Sequence, residues 1–359
     1  MGRHLLDPIG RLPVEDVVRR LCGVQAQVAS SAELAVRLRR EESRPGEVGR
    51  ALSDGRLIKT WAMRGALHLL TPEEGGTFLS LMAAGRSWER PAWSRYFGMT
   101  PERIERLRAV VREELDGRSL TRDDLVAAIT ARPGLGDIGE ALRSGWGTLF
   151  KPLAWQGDLC FGPNQGNRVT FMLPEAASSR WAGLPDAEEA APLAIAAYVG
   201  AHGPTTMERF SGWLAGGWFG KRQLRRMFDA LGDRLAEVDV DGERTYVMAA
   251  DLDGLANTKP TRAVRLLGGF DQYVLGPGTA DVHVVPAARR AAVSRTAGWI
   301  SPVVVAGGVV AGTWELDRDD VRVAWFSEAG RMPRRAISAE VERLSSILAR
   351  DLSLAVAVA

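Results

Sequence analysis

A pattern of three helices and a hairpin recurs three times along the chain, and no other feature restricts its fold as strongly. In the first round, Val14, Val17, Val18 and Leu21 fall at helical spacing, as do Leu34, Ala35 and Leu38 over residues 31 to 40, and a short helix fits Glu47 to Leu52. Leu57 to Met63 and Ala66 to Leu70 then read as two strands around Arg64-Gly65. After a helix opened by Thr71 and Pro72 and another from Pro101 to Leu115, the plan repeats. Helices are expected from Thr121, over Leu135 to Ser144 and over Trp146 to Trp155. A wing follows, with apolar runs Leu159 to Phe161 and Arg168 to Leu173 around the turn-rich stretch 162 to 167. Residues 174 to 188 read as a linker. The third round has helices over Glu189 to His202, from Thr205 to Leu214 and over Gly220 to Phe228, then a hairpin with an Asp241-Gly242 turn.

From Arg262 onward the period is two. Val264 to Leu267, Tyr273 to Leu275, Val282 to Val285, Val303 to Val305, Val309 to Trp314 and Val321 to Phe326 are strand-like, and a helix is expected from Ser338 to Asp351. The fold class is therefore α+β: three tandem winged-helix modules, over residues 1–100, 101–175 and 186–255, followed by a small antiparallel β-barrel or sheet over 262–359.

The stretch Leu21 to Val28 sets two carboxamides, Gln25 and Gln27, between two helical patterns. In an extended segment alternate side chains share a side, so the two would project together with Ala26 turned away. Gly23 can end the preceding helix, and Ser30 to Glu33 has the form of a capping box that would start the next.

Hydrophobic residues make up 46% of the chain and charged residues 25%, as in a soluble globular protein. The net charge of +2 excludes a grossly polybasic protein but leaves room for one basic face. Only four of the 46 basic residues are lysines. Arginine's planar fork suits bidentate phosphate recognition, and biased codon usage explains the same count; both readings stand. Lys221, Arg222, Arg225 and Arg226 line one helix face, either a phosphate-binding surface or a solvated one. The aromatics among arginines over residues 85 to 99 read as core anchors before base-stacking groups.

Cys22 and Cys160 lie in apolar surroundings without metal-ligand spacing and read as buried thiols. His4, His68, His202 and His283 fit no recognised metal site, and neither a Walker loop nor a dinucleotide fingerprint is present, so no metal or cofactor is expected. No run approaches a transmembrane helix and the start has no apolar leader, which places the chain in the cytoplasm with no membrane partner.

Three tandem winged-helix modules with a β-rich end resemble the winged-helix DNA glycosylases of the AlkZ and YcaQ type. The likeness rests on Leu21 to Arg37 with Gln25-Ala26-Gln27, on Thr60 to Leu70, on Leu266 to Gly276 and on Gly307 to Trp314. It differs at Gly268-Gly269, where a Pro-containing turn is expected, and at Gly276-Pro277-Gly278. The resemblance implies a monofunctional enzyme that removes bulky or cationic alkylated purines from duplex DNA, including cross-linked ones, through Gln25 and Gln27. Gln27 would position the water and Gln25 orient it or the sugar. Arg64, His68, Lys221, Arg222, Arg225 and Asp271 are the DNA-binding candidates. For His68 a satisfied, partly buried imidazole is the competing reading, and for Asp271 a structural role. Three dissimilar modules on one chain favour a monomer without an obligate protein partner. The alternative from another class is a non-enzymatic winged-helix DNA-binding protein, either a regulator or a lesion sensor.

Overall fold

The computed structural model describes residues 1–358, which form two compact units. One comprises Met1–Val48, Ala196–Trp213 and the chain from Leu231 onward; the other comprises Gly49–Ile195 and Leu214–Ala230. The architecture is mixed α/β with several sheets.

In the second unit the two expected wings share one sheet. Strands β1 (Ile58–Trp61), β2 (Leu67–Leu70), β3 (Leu120–Thr121), β4 (Cys160–Gln165) and β5 (Arg168–Met172) lie in the order β2-β1-β4-β5-β3, all antiparallel. The join between hairpins is Lys59 opposite Phe161. Trp61, Phe150, Phe161 and Phe171 form a ring cluster beneath it, with centroids 4.7 to 6.4 Å apart. The apolar faces of helices Pro101–Leu115 and Arg122–Thr130 complete this core with Ile104, Leu107, Val111, Leu125 and Ile129. The helix expected over Leu135 to Ser144 is the short turn Gly136–Ile138 followed by helix Gly139–Arg143, and the one expected over Trp146 to Trp155 begins only at Phe150.

The stretch expected to be a linker is a packed strap. Ser178 donates to the Gly55 carbonyl at 2.5 Å, Ser80 donates to that of Pro185, and Arg180 pairs with Glu73. The backbone of Gly183 lies so close to helix Pro72–Ala84 that a β-carbon on Gly76 would collide with its carbonyl.

In the first unit, β6 (Leu235–Val240) and β7 (Glu243–Met248) make the expected hairpin, with Asp241 and Gly242 both at positive φ as a two-residue turn of this hand requires. β8 (Val264–Leu267), β9 (Val303–Ala306), β10 (Val309–Asp317), β11 (Asp320–Trp325) and β12 (Ser353–Val358) form an open sheet in the order β12-β11-β10-β9-β8. The sheet is not closed into a barrel, and its last pair, β11 with β12, is parallel. Alternation sorts its two faces. Leu266, Val304, Trp314 and Val323 pack on Ile337, Val341 and Leu344 of helix Arg334–Leu348, while Leu267, Val303, Val305 and Val310 face a cluster with Leu38, Phe270 and Val274.

Two expected strands are absent. Tyr273–Leu275 lies in the short helix Gln272–Leu275, started by the Asp271 carboxylate accepting from Tyr273 N at 2.8 Å, and Val282–Val285 is a turn. Both cysteines are buried. Among the described residues no helix is long and apolar enough to cross a membrane.

Because neither backbone at the strap can yield without losing contacts, Gly76→Ala is expected to destabilise the protein by about 1–3 kcal/mol. A urea-unfolding midpoint equal to that of the parent would show the strap to be loose.

Candidate active site

Helix Val14–Arg20 ends in two left-handed residues, Cys22 (φ 60°) and Gly23 (φ 92°), with Gly23 N donating to the Val18 carbonyl at 3.0 Å. Val24 and Gln25 are extended, and helix Ala29–Arg37 then begins. The paired strand ends at Gln25. Gln25 is recessed, at 8% exposure, whereas Gln27 sits on a bend and is exposed. Among the described residues neither side-chain amide has a hydrogen-bond partner.

Helix Ala29–Arg37 starts one residue earlier than the expected capping box, so Ser30 is not its cap and Glu33 does not reach back. The Glu33 carboxylate instead accepts from the backbone N–H groups of Gly46, Glu47 and Val48 at 2.8 to 3.1 Å, satisfying the free donors at the start of helix Glu47–Ser53.

The far end of the Gln-bearing segment is held by an ion pair that sequence reasoning missed. Arg39 and Asp271 are 0% and 1% exposed, and the guanidinium donates to both carboxylate oxygens at 2.9 and 2.6 Å and to the Ala35 carbonyl at 2.7 Å. Asp271 closes a tight turn after β8 in which Phe270 adopts φ 62° and Gly268 sits against Leu34, whose side chain would be 3.2 Å from a β-carbon there. Its carboxylate is thus an internal anchor and not a surface group that meets DNA. Nothing in the run Arg37-Leu38-Arg39-Arg40 marks Arg39 as the one that pairs with Asp271.

In the other unit, Arg64 is exposed on the turn between β1 and β2, at φ 54°, followed by Gly65 at φ 67°. The Lys151 ammonium lies beside that turn, 3.5 Å from where a Gly65 β-carbon would stand, and burial lowers its pKa. His68 is buried, its Nδ1 donating to the Ala66 carbonyl at 3.0 Å; burial, with a smaller push from Arg64, takes its pKa down to about 3. It is therefore a neutral, satisfied imidazole and not a cation for phosphate.

Helix Lys221–Asp229 buries Leu224 and Phe228 and exposes Lys221, Arg222, Arg225 and Arg226. Among the described residues none of these four lies within ion-pair distance of a carboxylate. Elsewhere arginines are commonly matched, as in Arg132 with Glu113 and Glu114, Arg289 with Glu328 and Arg350 with Asp319. Of the aromatics over 85 to 99, Trp88 is core and Trp93 and Phe97 pack against that core, while Tyr96 is 82% exposed. Among the described residues no group of three or more His, Cys, Asp or Glu side chains could hold a metal ion.

A family profile described as DNA glycosylase AlkZ-like matches residues 18–347. The chain belongs to the AlkZ-like DNA glycosylase family. It is 48% identical over 346 residues to the interstrand DNA cross-link repair glycosylase of Streptomyces sahachiroi, covering 96% of this chain and 93% of that protein. The solved structure of Streptomyces sahachiroi DNA glycosylase AlkZ superposes with a TM-score of 0.96 at 47% identity, covering 100% of this chain and 97% of that one. An AlkZ-like glycosylase hydrolyses N-glycosidic bonds. The carboxamides of Gln25 and Gln27 can hydrogen-bond to a water or a sugar and turn their dipoles toward developing positive charge, but at neutral pH they neither take up nor release a proton.

Removing one partner of a buried ion pair leaves the other charge uncompensated, so Arg39→Met is expected to lose about 3–5 kcal/mol of stability in urea unfolding. A loss below about 1 kcal/mol, the size of a surface pair, would contradict the internal role given to Asp271.

Three histidines set a pH dependence. His4 and His202 are buried 3.2 Å apart and, like His68, burial lowers their pKa, to about 3 for His202. Below the unfolded value of about 6.5 the unfolded chain binds protons there that the folded chain does not, so stability falls with pH, by about 1.4 kcal/mol per unit for each histidine. Urea unfolding between pH 7 and 5 is expected to show this loss and His68→Gln to reduce it. A flat profile would mean that the imidazoles are hydrated.

Proposed function

We propose that this enzyme hydrolyses the N-glycosidic bond of bulky or cationic alkylated purines of the N7-alkylguanine type in duplex DNA and unhooks interstrand cross-links. Gln27 positions the attacking water, and Gln25 orients that water or the sugar. The observation that carries this reading is the state of the pair: two carboxamides without internal partners, one recessed and one open, on a segment fixed at its far end by the Arg39–Asp271 pair.

Glycosidic hydrolysis passes through an oxocarbenium-like sugar and is normally assisted by carboxylates. Amides replace them only where the leaving group departs readily. An N7-alkylated guanine already carries the positive charge that protonation would supply, so a general acid is dispensable. A cross-linked base stays tethered to the opposite strand and cannot enter a closed base-flipping pocket. Unhooking therefore fits a site worked from the groove, and the cross-link repair named for the Streptomyces sahachiroi relative supports it.

Duplex binding is assigned to phosphate contacts by Arg64, Lys221, Arg222 and Arg225, with His68 supporting from inside the hairpin that carries Arg64, and Asp271 supporting from inside the segment that carries the glutamine pair. The three helix-and-hairpin rounds act as winged-helix modules, and the protein works as a cytoplasmic monomer without a cofactor. The unmatched cations of helix Lys221–Asp229 support a polyanionic partner.

The test is incubation with duplex DNA holding one N7-methylguanine, followed by hot alkali and a denaturing gel. Strand breakage at the lesion is expected, with Gln25→Ala and Gln27→Ala each slower by about a hundredfold, the size seen when one preorganised hydrogen-bonding group is removed. Wild-type rates in both variants would end the assignment, and intact DNA despite binding would make the protein a lesion sensor.

A further inference from the structure

Residues 294–300 form a small loop in the first unit, closed at its base by the Ser294 to Ile300 bridge and across its tip by Arg295 N to the Trp299 carbonyl at 2.8 Å. Ala297 and Gly298, at φ 56° and 74°, turn the chain back on itself. The tip leaves Trp299 48% exposed, an unusual state for so large an apolar side chain, and Arg295 is exposed beside it. Among the described residues Arg295 has no carboxylate partner.

Trp299 is held in place. Its ring meets that of Phe270 edge to face, with centroids 5.0 Å apart and planes at 76°. Phe270 is buried in the left-handed turn that Asp271 and Arg39 lock, and a β-carbon on Gly269 would lie 2.9 Å from the Ile300 carbonyl, so loop and turn are in close contact. Phe270 and Ile300 belong to one apolar cluster, and Val28, the residue after Gln27, packs against it. Gln27 and Trp299 are thus each one residue away from the same packed cluster. The indole also borders a cleft of about 840 Å³, bounded by Arg295, Ser301, Thr313 and Arg322.

We infer that Trp299 is the group that recognises the positive charge of the lesion: its indole stacks on the alkylated purine cation while Arg295 holds an adjacent phosphate. An electron-rich ring face attracts a cation electrostatically, over and above the stacking that a neutral base of the same shape also gains. The cleft leaves room beside the indole for a bulky alkyl group. This inference rests on the reading of the enzyme as acting on cationic purines, and adds the residue that selects them.

The test compares binding of two duplexes, one holding 2′-fluoro-N7-methylguanosine, a cation whose glycosidic bond resists cleavage, and one holding its neutral isostere 7-methyl-7-deazaguanosine. Wild type is expected to prefer the cation by roughly tenfold, within the range of a desolvated cation–π contact. Trp299→Leu, which keeps apolar bulk against Phe270 but has no ring, is expected to bring the ratio within about twofold of unity, while Trp299→Phe retains most of it, as does Gln27→Ala. Arg295→Ala weakens both complexes equally. If wild type excises ordinary N7-methylguanine and Trp299→Leu keeps the full ratio, the inference is wrong and the glycosylase reading stands. If wild type excises nothing, the substrate reading falls and the inference with it.

Discussion

The first unit depends on one interaction, the ion pair between Arg39 and Asp271. Neither side chain reaches water, so the charges have given up hydration that their attraction repays only when the geometry is good. It is good here: two hydrogen bonds join guanidinium to carboxylate, the guanidinium also donates to the Ala35 carbonyl and the carboxylate also accepts from Tyr273 N, while Arg39 Nε is buried without a partner among the described residues. Such a pair adds little net stability compared with apolar packing, but it accepts few alternative arrangements. What it fixes is the position of helix Ala29–Arg37 against the turn at Phe270, and that helix begins two residues after Gln27. An apolar contact at the same place would tolerate sliding. The pair does not.

That constraint explains why the turn can hold Phe270 in a left-handed conformation, which costs a residue with a β-carbon about 1–2 kcal/mol. The ring is buried on one side and braces Trp299 on the other, so the unfavourable backbone is held from several directions at once. Substitution of glycine at 270 would relax the backbone and lose the brace. A strained aromatic next to a buried ion pair thus carries positional information from the core to an exposed loop.

Local chemistry made some of this legible in the sequence. Asp241-Gly242 and Gly307-Gly308 sit in two-residue hairpin turns because glycine, with no β-carbon, and Asp both tolerate positive φ, and the faces of the β8–β12 sheet follow alternation. The expected Gln-bearing connector, with Gly23 closing the helix before it, is also a local pattern. Where the reading failed, tertiary structure had overridden local preference. Tyr273-Val274-Leu275 has strand-like composition, yet the Asp271 carboxylate that binds Arg39 also caps these residues into a helical turn. Glu33 has the spacing of a capping box but serves a different helix. β12 pairs parallel to β11 from beyond a helix, a contact no local period announces. The burial of Arg39 was invisible for the same reason, since its partner is 232 residues away.

The chemistry assigned to the glutamine pair agrees with its electrostatic setting. A carboxylate placed against duplex DNA would feel the negative potential of the phosphates, which raises its pKa and opposes approach of the strand. An amide has neither difficulty, and its hydrogen bonding is unchanged across the physiological range. On the proposed reading the consequence is catalytic weakness: without an acid or a base, such a site can aim a water and stabilise a sugar cation, but it cannot push a poor leaving group out. On that reading, normal bases are spared at the cleavage step by the leaving group itself, in addition to the binding preference inferred for Trp299. An undamaged guanine, neutral and firmly attached, can pass the same pair of amides without being released, because the charge that makes departure possible belongs to the lesion and not to the protein.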